Sequence, residues 1–381
     1  MLRSISRGLS TAASSAAPPR ASTTSAAASS SSPSLRPLPD GPTHFGREVL
    51  DADLSDPSIS MPSSSSPAES LVSALYEHGL LLFRGQGHLT PDDEMRLARL
   101  FTHHPDDIGG GGQSYTGGAG TQHRLPSYPS VALVGSYSVK DYYGLTASSP
   151  GVYGDWHPDQ RAWHCDGLAD TDPPPDLTTM RCLKTPRGGE GRGETLFASS
   201  VRAAELLPPA LDPNPENVRM NYRLFDEYEI ARDGTHLVSA EGAKGSTDAA
   251  DEVNLGGGTS VPLVIREPVS GKRSLVGTYH VASLNLLDDP PDAPPLLDFD
   301  EANEYAAKAW GPGLSDEWIY RHCWSVGDVA VWSNRLVIHT ATSTASYAGE
   351  ERLHTRIRMR SEEEYAPRPW RGSSESEGSG V

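Results

Sequence analysis

Nothing in the 381 residues approaches a run of 18 consecutive apolar positions, so no segment reads as a membrane-crossing helix. Cysteine is scarce. Cys165, Cys182 and Cys323 form no C-x-x-C pair, and they offer neither a disulfide framework nor a zinc site built on thiolates. They read as reduced thiols of an intracellular compartment. Positive charge is also short, with 32 Lys and Arg against 50 Asp and Glu, for a net charge of −18. So acidic a chain repels phosphate backbones, and no basic stripe interleaved with aromatics stands out, which argues against a nucleic-acid partner. Hydrophobic residues reach 36%, beside 37 Gly and 32 Pro. That profile suits a loop-rich, β-dominated protein better than a helical bundle.

The first 39 residues are a different material. They hold Arg3, Arg7, Arg20 and Arg36, no acidic residue, and a heavy load of Ser, Ala and Thr. Leu2, Ile5 and Leu9 recur near helical spacing while Arg3 and Arg7 share another face. This is the profile of an organelle transit peptide, most like a mitochondrial one. The alternative is a disordered Ser/Ala tail on a cytoplasmic protein. Residues 40–368 carry the signals of a single folded domain, and the Ser/Glu/Gly-rich 369–381 tail is expected to be disordered.

Within the domain, Ser66-Pro67-Ala68-Glu69 places a cap, a proline and a glutamate at the start of a helix that Gly79 ends. Residues 80–83 form an apolar run suited to a buried strand, and Thr90-Pro91-Asp92-Asp93 opens a second helix. Short strands are expected at 131–134, 178–183, 195–198, 262–266, 274–278, 317–324, 328–332, 336–340 and 353–359, with one late helix at 299–310. Many short strands with irregular connections point to a sandwich or barrel of the jelly-roll type. The Gly-rich 109–120 stretch, within 105–125, and the 209–260 segment are candidate lids that would set specificity.

Two stretches carry chemistry: Trp163-His164-Cys165-Asp166-Gly167 and Trp332-Ser333-Asn334-Arg335-Leu336-Val337-Ile338-His339. On a strand, His164 and Asp166 would project from one face and Trp163 and Cys165 from the other. With His339 they make two imidazoles and one carboxylate, a set that holds divalent iron on one face and leaves the opposite face open. Without convergence, His164 and Asp166 are only a polar pair. Downstream, Arg352 and Arg356 stand four apart in a β-like run. Basic residues on a strand usually face solvent, but beside a metal a guanidinium can clamp a carboxylate through two parallel hydrogen bonds.

Trp163-His164-Cys165-Asp166, then Gly193-Glu194-Thr195-Leu196-Phe197, Gly327-Asp328 through Trp332, Asn334-Arg335, His339, and finally Arg352 and Arg356 occur in an order that resembles the taurine dioxygenase-like group of Fe(II)- and 2-oxoglutarate-dependent dioxygenases. Residues 42–104 and the 268–275 turn-and-strand resemble it more loosely. The resemblance implies a mainly β fold with flanking helices, a double-stranded β-helix (jelly roll). It implies that His164, Asp166 and His339 hold Fe(II), and that Arg352 with the Thr195 hydroxyl binds the distal carboxylate of 2-oxoglutarate as co-substrate. The activity implied is hydroxylation of a small organic substrate with O2, giving succinate and CO2.

By the same resemblance Arg356 matches the arginine that contacts a sulfonate substrate, Gln160 stands where the relative carries an asparagine, and His103 or His104 lies near its substrate histidine. These suggest an anionic substrate, sulfonate-like or carboxylate-like. The loop between His339 and Arg352 looks about two residues longer than the family's. A zinc-assisted hydrolase using the same His/Asp/His set and a non-catalytic jelly-roll binding protein are the alternatives, and the Thr195–Arg352 clamp discriminates against hydrolysis. His157 is a weaker ligand candidate, His280 and His322 read as strand residues, and Cys165 as packing. A homo-oligomer is compatible with the sequence.

Overall fold

The computed structural model describes residues 33–60, 67–101, 123–150, 163–168, 174–187, 192–222, 228–230, 237–239, 259–277, 281–342, 347–360 and 366–372. In chain order the first half comprises β1 (Ser34–Pro37), β2 (Arg47–Leu50), α1 (Pro67–His78), β3 (Leu80–Phe83), α2 (Pro91–Phe101), β4 (Arg124–Leu125), β5 (Tyr128–Tyr142), β6 (Leu145–Pro150) and β7 (Pro175–Lys184). There follow β8 (Thr195–Ser199), α3 (Ser200–Glu205), β9 (Val218–Tyr222), β10 (Tyr228–Ile230), β11 (Leu237–Ser239), β12 (Thr259–Pro262), β13 (Val264–Arg266), β14 (Arg273–Leu275) and β15 (Val281–Leu286). The chain closes with α4 (Phe299–Trp310), β16 (Ile319–His322), β17 (Val329–Ser333), β18 (Val337–Ala341), β19 (Arg352–Arg360) and β20 (Arg368–Pro369).

Two sheets face each other in a jelly roll. The large sheet runs β1-β2-β3-β17-β7-β19-β5-β4, with β6 on β5, and the small one runs β16-β8-β18. Strand alternation sorts the side chains into layers. From the large sheet Leu80, Leu82, Met180, Cys182, Ala330 and Trp332 point inward, where they meet Phe197, Tyr320 and Val337 of the small sheet. The intervening residues Leu81, Phe83, Leu177, Val329, Val331, Leu353, Ile357 and Met359 point outward, beneath Leu71, Leu75, Leu97 and Phe101 of α1 and α2. Leu196, Ala198 and Ile338 leave the other side of the small sheet and join the cluster under α3 and α4. The all-apolar β3 is therefore buried on both faces, as its sequence implies.

Local chemistry explains where the helices begin. Thr90 and Asp93 cap α2 reciprocally, the Thr90 N–H donating to Asp93 Oδ2 (2.8 Å) and the Asp93 N–H to Thr90 Oγ1 (3.3 Å). Asp298 and Glu301 form the same box on α4. Ser66, the expected cap of α1, lies outside the described residues. The sheet begins earlier than the expected domain start at 40, because Ser34–Pro37 pairs antiparallel with Arg47–Leu50. The strand expected over 317–324 is confined to Ile319–His322, since Asp316–Trp318 forms a 3-10 turn instead. Of the candidate lids, 105–122 and most of 223–258 lie outside the described residues. No helix among the described residues is long and apolar enough to cross a membrane.

One glycine fixes how β19 enters the sheet. Gly135 pairs with Leu353 and has φ +122°, and a Cβ there would fall 1.9 Å from the Arg352 carbonyl oxygen. No side chain fits between these backbones, so the close approach sets the position of Arg352. Gly135→Ala is expected to lower stability by about 3 kcal/mol, combining backbone strain with displacement of β19. A urea denaturation midpoint equal to that of the parent protein would contradict this reading.

Candidate metal centre and co-substrate pocket

His339 reaches the space between the sheets from β18, and His164 is tied to it by a two-residue antiparallel bridge. The His164 N–H donates to the His339 carbonyl (2.8 Å) and the His339 N–H to the His164 carbonyl (3.0 Å). The pairing holds the two imidazole centroids 4.3 Å apart. Immediately after the bridge the chain turns. Gly167 sits at φ +76°, where an added Cβ would come within 2.3 Å of Pro175 Cδ. His164 and Asp166 are thus not two residues of one strand, as their spacing suggests. The carboxylate is presented by a turn, and Trp163 and Cys165 pack away from it into the cluster behind the small sheet. Burial pushes the Cys165 thiol up to about 12, in keeping with a packing role.

His164, Asp166 and His339 each offer one ligand atom, and these atoms lie within 4.8 Å of one another. His339 Nε2 is 3.9 Å from Asp166 Oδ2, too far for a hydrogen bond and close enough to share an ion. The protonation states of Asp166 and His339 suit a cation. Burial would raise the Asp166 carboxyl, but the Arg356 guanidinium, aided by His339, His164 and Arg358, more than reverses this and holds the group well below the usual range. Burial, with His164 and Arg356 nearby, pushes His339 down to about 3, so its imidazole is neutral and has a lone pair to give. Imidazole nitrogens and an ionised carboxylate are the donor set that iron(II) takes, and the residues present fit it.

The expected co-substrate pair also converges. Arg352 Nε donates to the Gly193 carbonyl (2.8 Å), which orients the guanidinium, and its Nη2 donates to Thr195 Oγ1 (3.1 Å). The indole N–H of Trp324 donates to the same hydroxyl oxygen at 2.9 Å. A hydroxyl has two lone pairs and one proton, so two incoming donors leave Thr195 its proton to give. An acceptor with several lone pairs, such as a carboxylate, satisfies that proton and the arginine together. Arg352 is 4% exposed, dry enough for such a contact to be strong.

Alternation on β19 puts Arg352, His354, Arg356 and Arg358 on its inner face. Arg356 Nη1 lies 2.8 Å from Asp166 Oδ1, so the arginine expected at the substrate grips a candidate metal ligand. The Arg358 guanidinium stands beside Gly167, where an added Cβ would meet Nη1 at 3.4 Å. His354 is fully buried, with neither ring nitrogen hydrogen-bonded among the described residues and its ring 4.6 Å from that of Trp324. Burial and the adjacent Arg352 keep it neutral. Gln160, His103, His104, His157 and His280 lie outside the described residues. His322 belongs to the core, its Nε2 3.4 Å from Asp328 Oδ2.

Sequence reasoning missed Thr178, whose hydroxyl donates to Asp166 Oδ2 at 2.7 Å, and the roles of Asn334, Trp324 and Arg358. A signal existed for Arg358, which is two residues beyond Arg356 and so on the same strand face. None existed for Thr178, because a threonine next to Thr179 in a mixed polar and apolar strand is unremarkable until its partner is known.

A family model described as taurine catabolism dioxygenase TauD, TfdA family, matches residues 34–358. The alpha-ketoglutarate-dependent xanthine dioxygenase xan1 of Schizosaccharomyces pombe is 24% identical over 355 residues, covering 80% of this chain and 83% of that protein. The alpha-ketoglutarate-dependent xanthine dioxygenase xanA of Emericella nidulans is 24% identical over 368 residues, covering 85% and 94%. The crystal structure of AAD-2 in complex with Mn(II) and N-oxalylglycine superposes with a TM-score of 0.53 at 17% identity, covering 86% of this chain and 97% of that one.

The buried imidazoles generate a pH dependence. His339, His322 and His354 all have folded pKa values below the usual 6.5, with burial the leading cause. On unfolding they take up protons below that value, so the unfolded chain binds more protons and stability falls as pH drops from 6.5 toward 3. The depressed Asp166 acts in the same direction at the acid end. Each imidazole contributes a slope of up to about 1.4 kcal/mol per pH unit in that window. Urea midpoints of the metal-free protein should therefore decline between about pH 7 and pH 5. Equal midpoints would refute the neutral, buried assignments.

Proposed function

Because the chain belongs to the TauD, TfdA family of taurine catabolism dioxygenases, we propose that its substrate is a small organic anion gripped by Arg356, with the oxopurine xanthine the first to test. The enzyme is an Fe(II)- and 2-oxoglutarate-dependent dioxygenase that acts on a small organic molecule. Iron, when bound, supplies the oxidising centre that couples decarboxylation of 2-oxoglutarate to succinate and CO2 with hydroxylation of the substrate. The chain's own residues do the rest. His164, Asp166 and His339 hold the metal, and Thr195 and Arg352 bind and orient the co-substrate's distal carboxylate. Phe197 and Trp332, packed on His339 with centroids at 6.1 and 4.9 Å, keep water from that side of the ring.

The observation that carries the substrate proposal is the inner face of β19. Beyond Arg352, which the co-substrate engages, Arg356 sets a guanidinium on Asp166 and Arg358 stands beside the neighbouring Gly167. Once a divalent cation shares the Asp166 charge, an incoming anion is the natural partner for Arg356. An oxopurine supports the same reading, since its carbonyl oxygens and deprotonated ring nitrogens accept from a planar guanidinium fork. The two relatives above, named for xanthine, make that ring the first choice. The Thr195–Arg352 pair has no task in zinc-assisted hydrolysis.

Succinate release from the Fe(II)-loaded enzyme should rise when xanthine is supplied. In Arg356→Ala the substrate KM should rise about tenfold or more with the 2-oxoglutarate KM little changed, and Arg352→Ala should show the reverse. Xanthine and a panel of carboxylates, sulfonates and sulfate esters all failing to stimulate turnover would sink the anionic-substrate reading. For localisation, the Arg-, Ser- and Ala-rich composition of residues 1–39 supports delivery to mitochondria. That segment fused to a fluorescent protein should direct it there, and diffuse fluorescence would argue against it.

A further inference from the structure

Asp166 Oδ2 terminates a hydrogen-bond chain whose direction is settled at its far end. The Trp332 indole N–H can only donate, and it donates to Asn334 Oδ1 at 3.1 Å. The Asp166 backbone N–H, also an obligatory donor, reaches the same oxygen at 3.3 Å. These two donors fix which end of the Asn334 amide is oxygen. Its nitrogen therefore faces Thr178 and donates to Oγ1 at 3.0 Å. Having accepted there, the Thr178 hydroxyl turns its one proton onto Asp166 Oδ2 at 2.7 Å. Trp332, Asn334 and Thr178 are all buried, so no water competes for any link. The backbone adds a further constraint, the Asn334 N–H donating to the Asp176 carbonyl at 2.7 Å on the strand that carries Thr178.

We propose that Thr178, aimed by Asn334 and Trp332, is a positioning residue for metal binding: it commits one Asp166 oxygen to a fixed donor and locks the carboxylate plane for the cation. The chain differs from the Arg356 contact in kind. Arg356 brings a charge that a metal can replace, whereas Thr178 brings a neutral donor that persists beside a bound cation. A carboxylate held on both sides cannot rotate about its terminal bond, so less freedom is lost when the ion binds. Outer hydrogen bonds of this type are worth about 10–100-fold in metal affinity. The residues come from three places, β7, the end of β17 and the turn after His164, and the chain therefore also ties the metal-binding turn to the large sheet.

This inference rests on the metal reading above, and the experiment keeps the two apart. Mn(II) affinity is measured on the full-length metal-free protein by EPR of the free ion, with folding followed by circular dichroism. Binding by the parent protein and its loss in His339→Ala establish the site; if the parent protein does not bind Mn(II), the metal reading itself fails and this inference with it. Thr178→Val should weaken Mn(II) about 10–100-fold, and Thr178→Ser, which keeps the hydroxyl, should stay within about threefold of the parent. Trp332→Phe keeps an aromatic ring beside His339, removes one of the two donors that orient the Asn334 amide, and should give a smaller loss than Thr178→Val. Thr178→Val binding like the parent protein, or Thr178→Val and Thr178→Ser losing affinity equally, would overturn the proposal. Should Thr178→Val not fold, unchanged affinity in Trp332→Phe would overturn it instead.

Discussion

A carboxylate that is 3% exposed stands at the centre of this molecule. Moving such a charge out of water costs several kcal/mol after relaxation, and the charge persists only where partners offset that cost. Asp166 has them: a guanidinium on one oxygen, a hydroxyl on the other, and two imidazoles alongside. Each partner comes from a different element, Arg356 from β19, Thr178 from β7 and His339 from β18 of the opposing sheet. The same convergence that keeps the acid ionised assembles the donor set for a divalent cation. Stability and function here depend on the same few contacts, and deleting one partner costs more than the pair itself contributes.

Around this charge the sandwich interior is aromatic. Phe197 and Trp332 pack on His339, and Trp324 lies between His322 and His354 with ring centroids at 4.4 and 4.6 Å. Excluding water lowers the local dielectric, which strengthens the Thr195–Arg352 contact and keeps the imidazoles neutral. His354 has no hydrogen-bond partner among the described residues, and its burial keeps the ring neutral.

Much of this was legible in order and pattern. The apolar Leu80–Phe83 run, the capped 299–310 helix and the strands at 195–198 and 336–340 lie where local chemistry puts them, because burial on two faces and capping are decided by near neighbours. The His164, Asp166, His339, Thr195 and Arg352 set follows from motif order. What misled was the two-residue spacing of His164 and Asp166, which reads as one strand face. Gly167 and Pro175 convert it to a turn; the Asp166-Gly167 dipeptide is a local turn signal, but the contact with Pro175 shows only in the folded chain. Ser34–Pro37 was likewise read as tail, since a four-residue edge strand shows only once Arg47–Leu50 is beside it.

By itself the sequence determined the chemistry on offer, two imidazoles, one carboxylate, a hydroxyl and an arginine, and the strands around 195–198, 336–340 and 353–359, whose alternation dictates which of their side chains share a face. Alternation is a property of the backbone, so it could be read residue by residue. The tertiary structure alone decided what those groups do to one another. It set Arg356 on Asp166, ran the proton of Thr178 to the same carboxylate, and buried His339 until it was neutral. Arg356 and Thr178 stand 190 and 12 positions from Asp166 along the chain; their distances, and the exclusion of water around His339, exist only once the sheets have closed.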